Sequence, residues 1–171
     1  MFRNGIGFAV YHFTENRKFV LGGVFVDHEE GLQGNFDGDA LSHAICEALL
    51  GAASLGDLQS MFPLDDTKYK DISGLRLLEL VKIKLARSSM QIENIDAIIV
   101  CPSLDLSSLK TNMAINIART LEIYKDYVSI KISNSVYPLK AHNFRGVAVL
   151  ATCAMLDITE GEGEIEEESS E

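Results

Sequence analysis

The sequence contains no apolar run long enough to cross a membrane. Its longest runs, around residues 98–101 and 147–150, are far shorter than the roughly 20 residues that a transmembrane helix requires. The first residues carry one basic side chain, Arg3, and lack both the apolar segment of a secretory signal and the Arg- and Ser-rich pattern of a transit peptide. We therefore expect a soluble, cytoplasmic protein without a membrane partner.

Cysteine is scarce in this chain. Cys46, Cys101 and Cys153 stand far apart, their number is odd, and none of them forms a C-x-x-C pair. This usage is not that of a metal-binding or redox motif, so we predict three inert thiols in the core.

Basic residues form no stripe and do not alternate with aromatic residues, which excludes a nucleic-acid partner. The formal net charge is -10, and residues 160–171 hold seven glutamates and no base. Without that segment the net charge is -3 (-10 plus 7), so the body of the protein is only mildly acidic. We predict a domain over residues 1–158 and a disordered acidic tail over 159–171 that aids solubility, with partner docking as the alternative.

The spacing of apolar residues predicts one α/β or α+β domain, since 171 residues with 47% apolar content suffice for a single core. Asp37 or Asp39 is suited to cap the first helix. The predicted strands span residues 7–13, 19–26, 94–101, 127–132 and 146–156, and the predicted helices span 39–54, 73–90 and 106–121. Composition leaves a helix open as an alternative for 146–156. Long helices that cover only one sheet face give a two-layer sandwich.

From Asp37 onward the chain reads DGDALSHAICEALLGAASLGDLQSMFP. This segment resembles the 2-C-methyl-D-erythritol 2,4-cyclodiphosphate synthase family of the non-mevalonate isoprenoid pathway. Further pieces match in order and spacing, so that the resemblance covers residues 1 to about 157; they are GIGF at 5–8, LGGV at 21–24, YK at 69–70, NID at 94–96 and VSIK at 128–131.

The resemblance implies a homotrimer of ferredoxin-like subunits, with a mixed sheet covered by helices on one face and active sites between subunits. In the family, zinc and a second divalent metal such as magnesium hold a cytidine diphosphate substrate. Its 2-phosphate attacks the adjacent phosphorus, which closes a cyclic diphosphate and releases CMP. Positioning and charge neutralisation supply nearly all the acceleration of such a phosphoryl transfer.

The resemblance assigns the three zinc ligands to the positions of Ala9, Tyr11 and His43. Ala9 has no donor atom, and Tyr11 would have to lose a phenolic proton with a pKa of about 10. His43 is the one metal candidate that remains, and the alternative is a helix histidine held by Asp39 or Glu47. His12 is one residue out of step and is expected to face the opposite side of the sheet.

Other positions of the family's site also differ here. Asn35 stands at a histidine position, and Asp105 takes the place of a lysine that would meet the diphosphate. Val136, in the segment 133–136, replaces the carboxylate of the second metal, which valine cannot supply. The first acid of the acidic loop is Leu64, and the final turn at 142–146 is altered.

The residues that survive are the candidate substrate-binding set: Asp57, Phe62, Pro63 and Asp66. The alternative is that they end a helix and shape a loop. Two functions follow: the cyclodiphosphate synthase reaction with altered or slow chemistry, or a non-catalytic scaffold or regulatory homologue. The second type would bind another ligand or join an intact paralogue in a mixed trimer. Since packing positions are kept and ligands are lost, the sequence favours the second.

Overall fold

The computed structural model describes residues 1–133 and 143–159. Within them the elements, in chain order, are β1 (Phe2–Thr14), β2 (Val20–Leu21), β3 (Val24–Phe25), β4 (Gly31–Gln33), α1 (Ala40–Ala52), α2 (Leu58–Met61), α3 (Gly74–Ala86), β5 (Met90–Val100), α4 (Lys110–Leu121), β6 (Val128–Ser133) and β7 (Gly146–Asp157). The predictions about Val136, His142 and nearly all of the acidic tail fall outside the described residues.

A mixed sheet of five strands, in the order β4-β1-β7-β5-β6, forms one layer. Its three longest strands form antiparallel pairs: β1 pairs with β7 from Phe2 to His12, and β7 pairs in turn with β5. The β5 and β6 strands are parallel, because α4 crosses between them over the sheet.

The second layer consists of α1, α3 and α4, which lie on one face of the sheet. Helix α1 packs on β1 and β7, α4 packs on β6, and α3 packs against both helices. The core between the layers is aliphatic, with Leu41, Ile45 and Leu49 of α1 fully buried. The predicted mixed two-layer sandwich with helices on one face is therefore confirmed.

Residues 19–26 correct one of our predictions, because they do not add a strand to the main sheet. They form the hairpin of β2 and β3, which pair only with each other among the described strands. Gly22 and Gly23 make its turn, with φ of 54° and 68°, a conformation that alternating β-branched residues do not reveal.

Two predicted helices are also shorter than expected. The helix over 73–90 ends at Ala86, and Met90 begins β5. The helix over 106–121 begins only at Lys110, because the Asp105 carboxylate accepts the N–H of Ser107 in a local turn that competes with helix. The strand over 146–156 is confirmed by β7.

The three cysteines are unpaired and buried, as predicted. No helix in the described part of the chain is both long and apolar enough to span a bilayer. At the predicted tail boundary, Thr159 donates its hydroxyl to the Asp157 carboxylate, at 2.6 Å.

Candidate functional site

A tyrosine and a histidine meet where β1 passes under the N-terminal half of α1. Tyr11 points from β1 towards the helices, in line with Ala9, and His43 points from α1 towards the sheet. The Tyr11 hydroxyl lies 2.8 Å from Nδ1 of His43, and the two rings pack edge to face at 5.6 Å. His43 is only 2% exposed, so this hydrogen bond is shielded from water.

The other ring nitrogen of His43 faces a carboxylate without touching it. Nε2 lies 3.9 Å from Oδ1 of Asp37, which exceeds hydrogen-bonding distance, and it makes no hydrogen bond with any described residue. Asp37 itself accepts the backbone N–H groups of Asp39 and Gly74. Burial, and then the charge of Asp39, raise the pKa of Asp37.

Asp39 stabilises the fold through hydrogen bonds to two different elements. It is fully buried and caps α1 by accepting the backbone N–H and the hydroxyl of Ser42. Its two carboxylate oxygens also accept the N–H groups of Gly22 and Gly23, both at 2.9 Å, which ties the β2–β3 turn to the helix. These four hydrogen bonds explain how a carboxylate can be buried here.

The expected partners of His43 are therefore wrong. Asp39 and Glu47 are four residues away on the same helix, but the Asp39 carboxylate is occupied by its cap contacts and Glu47 accepts the N–H of Leu58. The contacts of His43 come from elsewhere in the chain, from Tyr11 and Asp37. Helix periodicity cannot reveal them, because both depend on how β1 and the loop before α1 pack.

Both rings of the pair are held in their neutral forms. Burial raises the pKa of Tyr11 to about 12, and the charges of Glu47 and Asp37 act in the same direction. Burial lowers the pKa of His43 to about 4, and the nearby Asp37 offsets this only in part. At neutral pH the site therefore contains a phenol and an uncharged imidazole.

The order hydroxyl, imidazole, carboxylate is that of a nucleophile with its base and an orienting acid. The details argue against such a role for Tyr11. Its pKa is raised rather than lowered, so the phenolate is disfavoured. Asp37 also lies too far from Nε2 to orient the ring through a direct hydrogen bond.

The residues present do not fit the zinc ion that the family implies. Zinc sites take three or four protein ligands, whereas Ala9 is a buried methyl group and Tyr11 keeps its proton. Nδ1 of His43 is already engaged in a hydrogen bond with the Tyr11 hydroxyl. Among residues 1–133 and 143–159, no three His, Cys, Asp or Glu side chains are grouped so as to hold a metal.

His12 does not replace the missing ligands. The β1–β7 register runs unbroken from Phe2 to His12, so consecutive side chains alternate between the two faces. His12 is exposed and lies against Phe144, with ring centroids 5.4 Å apart. The prediction that it faces away from Tyr11 is confirmed.

The four candidate substrate-binding residues lie beyond α1 rather than at the Tyr11–His43 pair. Asp57 is exposed and caps α2, where it accepts the N–H of Ser60 at 2.7 Å. Asp66 caps a turn by accepting the N–H of Lys68, and Pro63 is exposed. Phe62 is buried with its ring edge-on to Tyr69. These contacts account for the shape of the loop, and substrate binding by the four residues stays a prediction.

Asp105 lies in the exposed loop after β5. Hydrogen bonds from Ser107, through its side chain and its backbone N–H, lower the pKa of Asp105 and keep its carboxylate charged. The position that the resemblance links to a diphosphate therefore carries a negative charge, which would repel that group.

Sequence reasoning missed three residues that surround the pair: Arg17, Gly34 and Phe36. The Arg17 guanidinium donates to the carbonyl oxygens of Gly34 and Phe36, at 3.0 and 2.6 Å. The Phe36 ring packs edge-on against His43, at 5.4 Å between centroids. One signal in the sequence pointed to this part of the site: strand alternation turns Ala9 and Tyr11 to the same face, which places the tyrosine ring next to α1.

The fold and site define a class: a two-layer α+β subunit in which a capped helix carries a buried histidine against the long first strand. A sequence profile of the YgbB family matches residues 2–156. A 2-C-methyl-D-erythritol 2,4-cyclodiphosphate synthase of Desulforamulus reducens is 41% identical over 153 residues, covering 90% of this chain and 98% of that one. One of Agathobacter rectalis is 40% identical over 158 residues, covering 92% and 89%. The chain belongs to the YgbB family, that of the 2-C-methyl-D-erythritol 2,4-cyclodiphosphate synthases of isoprenoid biosynthesis.

Solved structures agree with this assignment. The bifunctional IspDF of Campylobacter jejuni superimposes with a TM-score of 0.84 at 32% identity; the match covers 91% of this chain and 42% of that longer one. The CDP complex of IspF from Plasmodium falciparum gives a TM-score of 0.77 at 20% identity and covers 91% of this chain and 96% of that one, which supports the fold alone.

Proposed function

We propose that this chain is a non-catalytic member of its family, which keeps the fold and the subunit surface but has lost metal-assisted cyclisation. The observation that carries the proposal is the Tyr11–His43 hydrogen bond, at 2.8 Å. It lies where the resemblance assigns a zinc ion, and Ala9 beside it offers no donor atom. Zinc and magnesium are implied by the family, and neither is expected to be retained here.

Electrostatics supports the same conclusion at a second point. Cyclisation brings two phosphates together, so it depends on cations that neutralise the charge developing between them. In this chain the Asp105 carboxylate is ionised where the family has a lysine. The uncharged Tyr11–His43 pair adds no positive charge to compensate.

The retained surface supports a role in assembly. On the side of the sheet away from the helices, β1 exposes Ile6 and Phe8 by 67% and 63%, with Val10 and Leu150 beside them. Large exposed apolar patches of this kind mark interaction sites. A homotrimer would cover this face, and an intact paralogue in the same cytoplasm could replace one copy and be modulated by it.

The alternative is an active enzyme with unusual ligands and a small phosphate substrate. The deciding measurement is CMP release from the cytidine diphosphate substrate, with zinc and magnesium supplied and the 41%-identical relative as positive control. We expect turnover more than about a hundredfold below the control. Turnover within that range, abolished by His43→Ala, would overturn the proposal.

A matched variant makes a negative result interpretable. Ala9→Asp combined with Tyr11→His restores two donor groups beside His43. We expect this variant, and not the wild type, to retain zinc after dialysis, as measured by elemental analysis. Stoichiometric zinc in untagged wild-type protein would contradict the loss of the metal site.

A further inference from the structure

The direction of the Tyr11–His43 hydrogen bond depends on which ring nitrogen of His43 carries a proton. The hydroxyl lies 2.8 Å from Nδ1, and it donates to this nitrogen when the ring proton is on Nε2. The surroundings of Nε2 therefore decide the direction.

The environment of Nε2 selects one tautomer. A neutral imidazole carries one proton, on either Nδ1 or Nε2. Nε2 faces Oδ1 of Asp37 at 3.9 Å, and a negative carboxylate favours an N–H over a lone pair at this position. Asp37 thus assigns the Nε2–H form to His43, with Nδ1 as the acceptor of the Tyr11 hydrogen bond.

A histidine in this form presents its Nδ1 lone pair as a metal ligand would. In this chain that lone pair accepts a hydrogen bond from the Tyr11 hydroxyl instead. The hydroxyl also fills the space next to Nδ1 in which an ion would have to sit, because zinc binds imidazole nitrogen at about 2.0–2.1 Å.

The loop before α1 encloses the pair. Phe36 adopts a left-handed backbone conformation, with φ of 58°, and lays its ring against His43. The Arg17 guanidinium bridges the Gly34 and Phe36 carbonyl groups and holds this loop closed. Position 34 is a glycine at a close contact, since a Cβ there would lie 2.7 Å from the Tyr11 ring.

We propose that Tyr11 is a built-in replacement for a bound cation: its hydroxyl proton occupies the Nδ1 lone pair of His43, so the folded chain neither needs nor admits a divalent metal at this histidine. This inference deepens the proposed function and rests on it for the identity of the missing ion. It adds the group that stands next to Nδ1 in place of an ion and the loop that encloses it.

The test is histidine ¹⁵N NMR on the wild-type protein, followed by zinc titration. We expect His43 in the Nε2–H tautomer, with an Nδ1 shift typical of a hydrogen-bond acceptor and unchanged by zinc. Neither zinc nor EDTA should move the Tm. A proton on Nδ1, a zinc-dependent shift of the His43 signals or a Tm that responds to metal would each overturn the inference.

Tyr11→Phe tests the hydroxyl itself, with Tyr124→Phe, at an exposed tyrosine, as the matched control. Removal of the donor leaves Nδ1 buried without its partner, so we expect Tyr11→Phe to lower the Tm by about 3–8 °C and to shift the Nδ1 signal. Tyr124→Phe should change neither. Equal effects of the two substitutions would overturn the inference, and so would an Nδ1 signal unaffected by Tyr11→Phe.

The two proposals fail separately. CMP release by a protein whose His43 signals ignore zinc would overturn the proposed function and leave the tyrosine's role intact. Zinc binding at His43 without CMP release would leave the proposed function intact and overturn the role of the tyrosine.

Discussion

At the scale of the residue, His43 makes the stability of the fold depend on pH. Burial lowers its pKa from 6.5 to about 4 in the folded protein. Between these values the unfolded chain binds a proton that the folded chain does not, so the free energy of unfolding falls as the pH falls through this window. The shift corresponds to a loss on the order of 3 kcal/mol.

His43→Asn isolates this effect, because the amide oxygen can accept the Tyr11 proton but does not titrate. Denaturant unfolding of both proteins between pH 7 and pH 4 should show the wild type losing stability relative to the variant. The buried carboxylate of Asp39, whose pKa is raised, acts in the opposite direction but is common to both proteins. The pKa of Asp37 is also raised, but the charge of His43 lowers it in part, so the variant removes this mutual effect together with the histidine. Parallel profiles would contradict the assignment to His43.

The sequence predicts which positions of this site matter but not how they are joined. The motif alignment places Ala9, Tyr11 and His43 together, and strand alternation correctly separates His12 from them. Neither signal predicts the hydrogen bond between Tyr11 and His43. Neither predicts the hydrogen bonds from Arg17 to the carbonyl oxygens of Gly34 and Phe36. Those contacts depend on the path of the loop over residues 34–37, whose left-handed Phe36 has no signature in composition.

At the scale of the element, the contact between β1 and α1 is closer than side chains would allow. A Cβ on Gly5 would lie 1.8 Å from the carbonyl oxygen of Ala48, and one on Gly7 would lie 1.9 Å from that of Ala44. Backbone therefore meets backbone along this contact. The Tyr11–His43 hydrogen bond lies further along the same two elements and depends on their spacing.

Gly7→Ala should consequently destabilise the protein by about 3 kcal/mol, because strand and helix must separate to admit a methyl group. Gly51→Ala is the matched control: Gly51 is exposed within α1, and a Cβ there has nothing within 4 Å. This control should stabilise the protein by about 0.5–1 kcal/mol. Denaturant unfolding measures both, and equal effects would show that the close contact is not decisive.

Long elements were predictable and short ones were not. Helix α1 was predicted to within two residues because its apolar spacing and its Asp39 cap agree. The short elements have two to four residues each, and each depends on a different local cause. A turn forms the β2–β3 hairpin, an edge position defines β4, and the Asp57 cap begins α2. No periodicity can be read over such lengths.

At the scale of the whole molecule, the exposed apolar face of the sheet predicts an oligomer. Phe8→Glu places a charge in the middle of this face, so light scattering after gel filtration should change from a trimer to a monomer. Leu64→Glu, at a residue 49% exposed in the loop after α2, should leave the assembly intact.

The same substitution tests assembly with an intact relative. Native mass spectrometry after co-expression should detect mixed trimers with the wild type and none with Phe8→Glu. A monomeric wild-type protein would remove the assembly role. Exclusive homotrimers would remove only its mixed form.

The unbroken register of β1 has an evolutionary consequence. Odd-numbered side chains such as Ala9 and Tyr11 face α1, while Ile6, Phe8 and Val10 face outward. The two sets occupy one strand yet share no surface, so selection can relax on one while it preserves the other. A gene copy could thus drift away from chemistry and still produce a subunit that its ancestor's partners recognise.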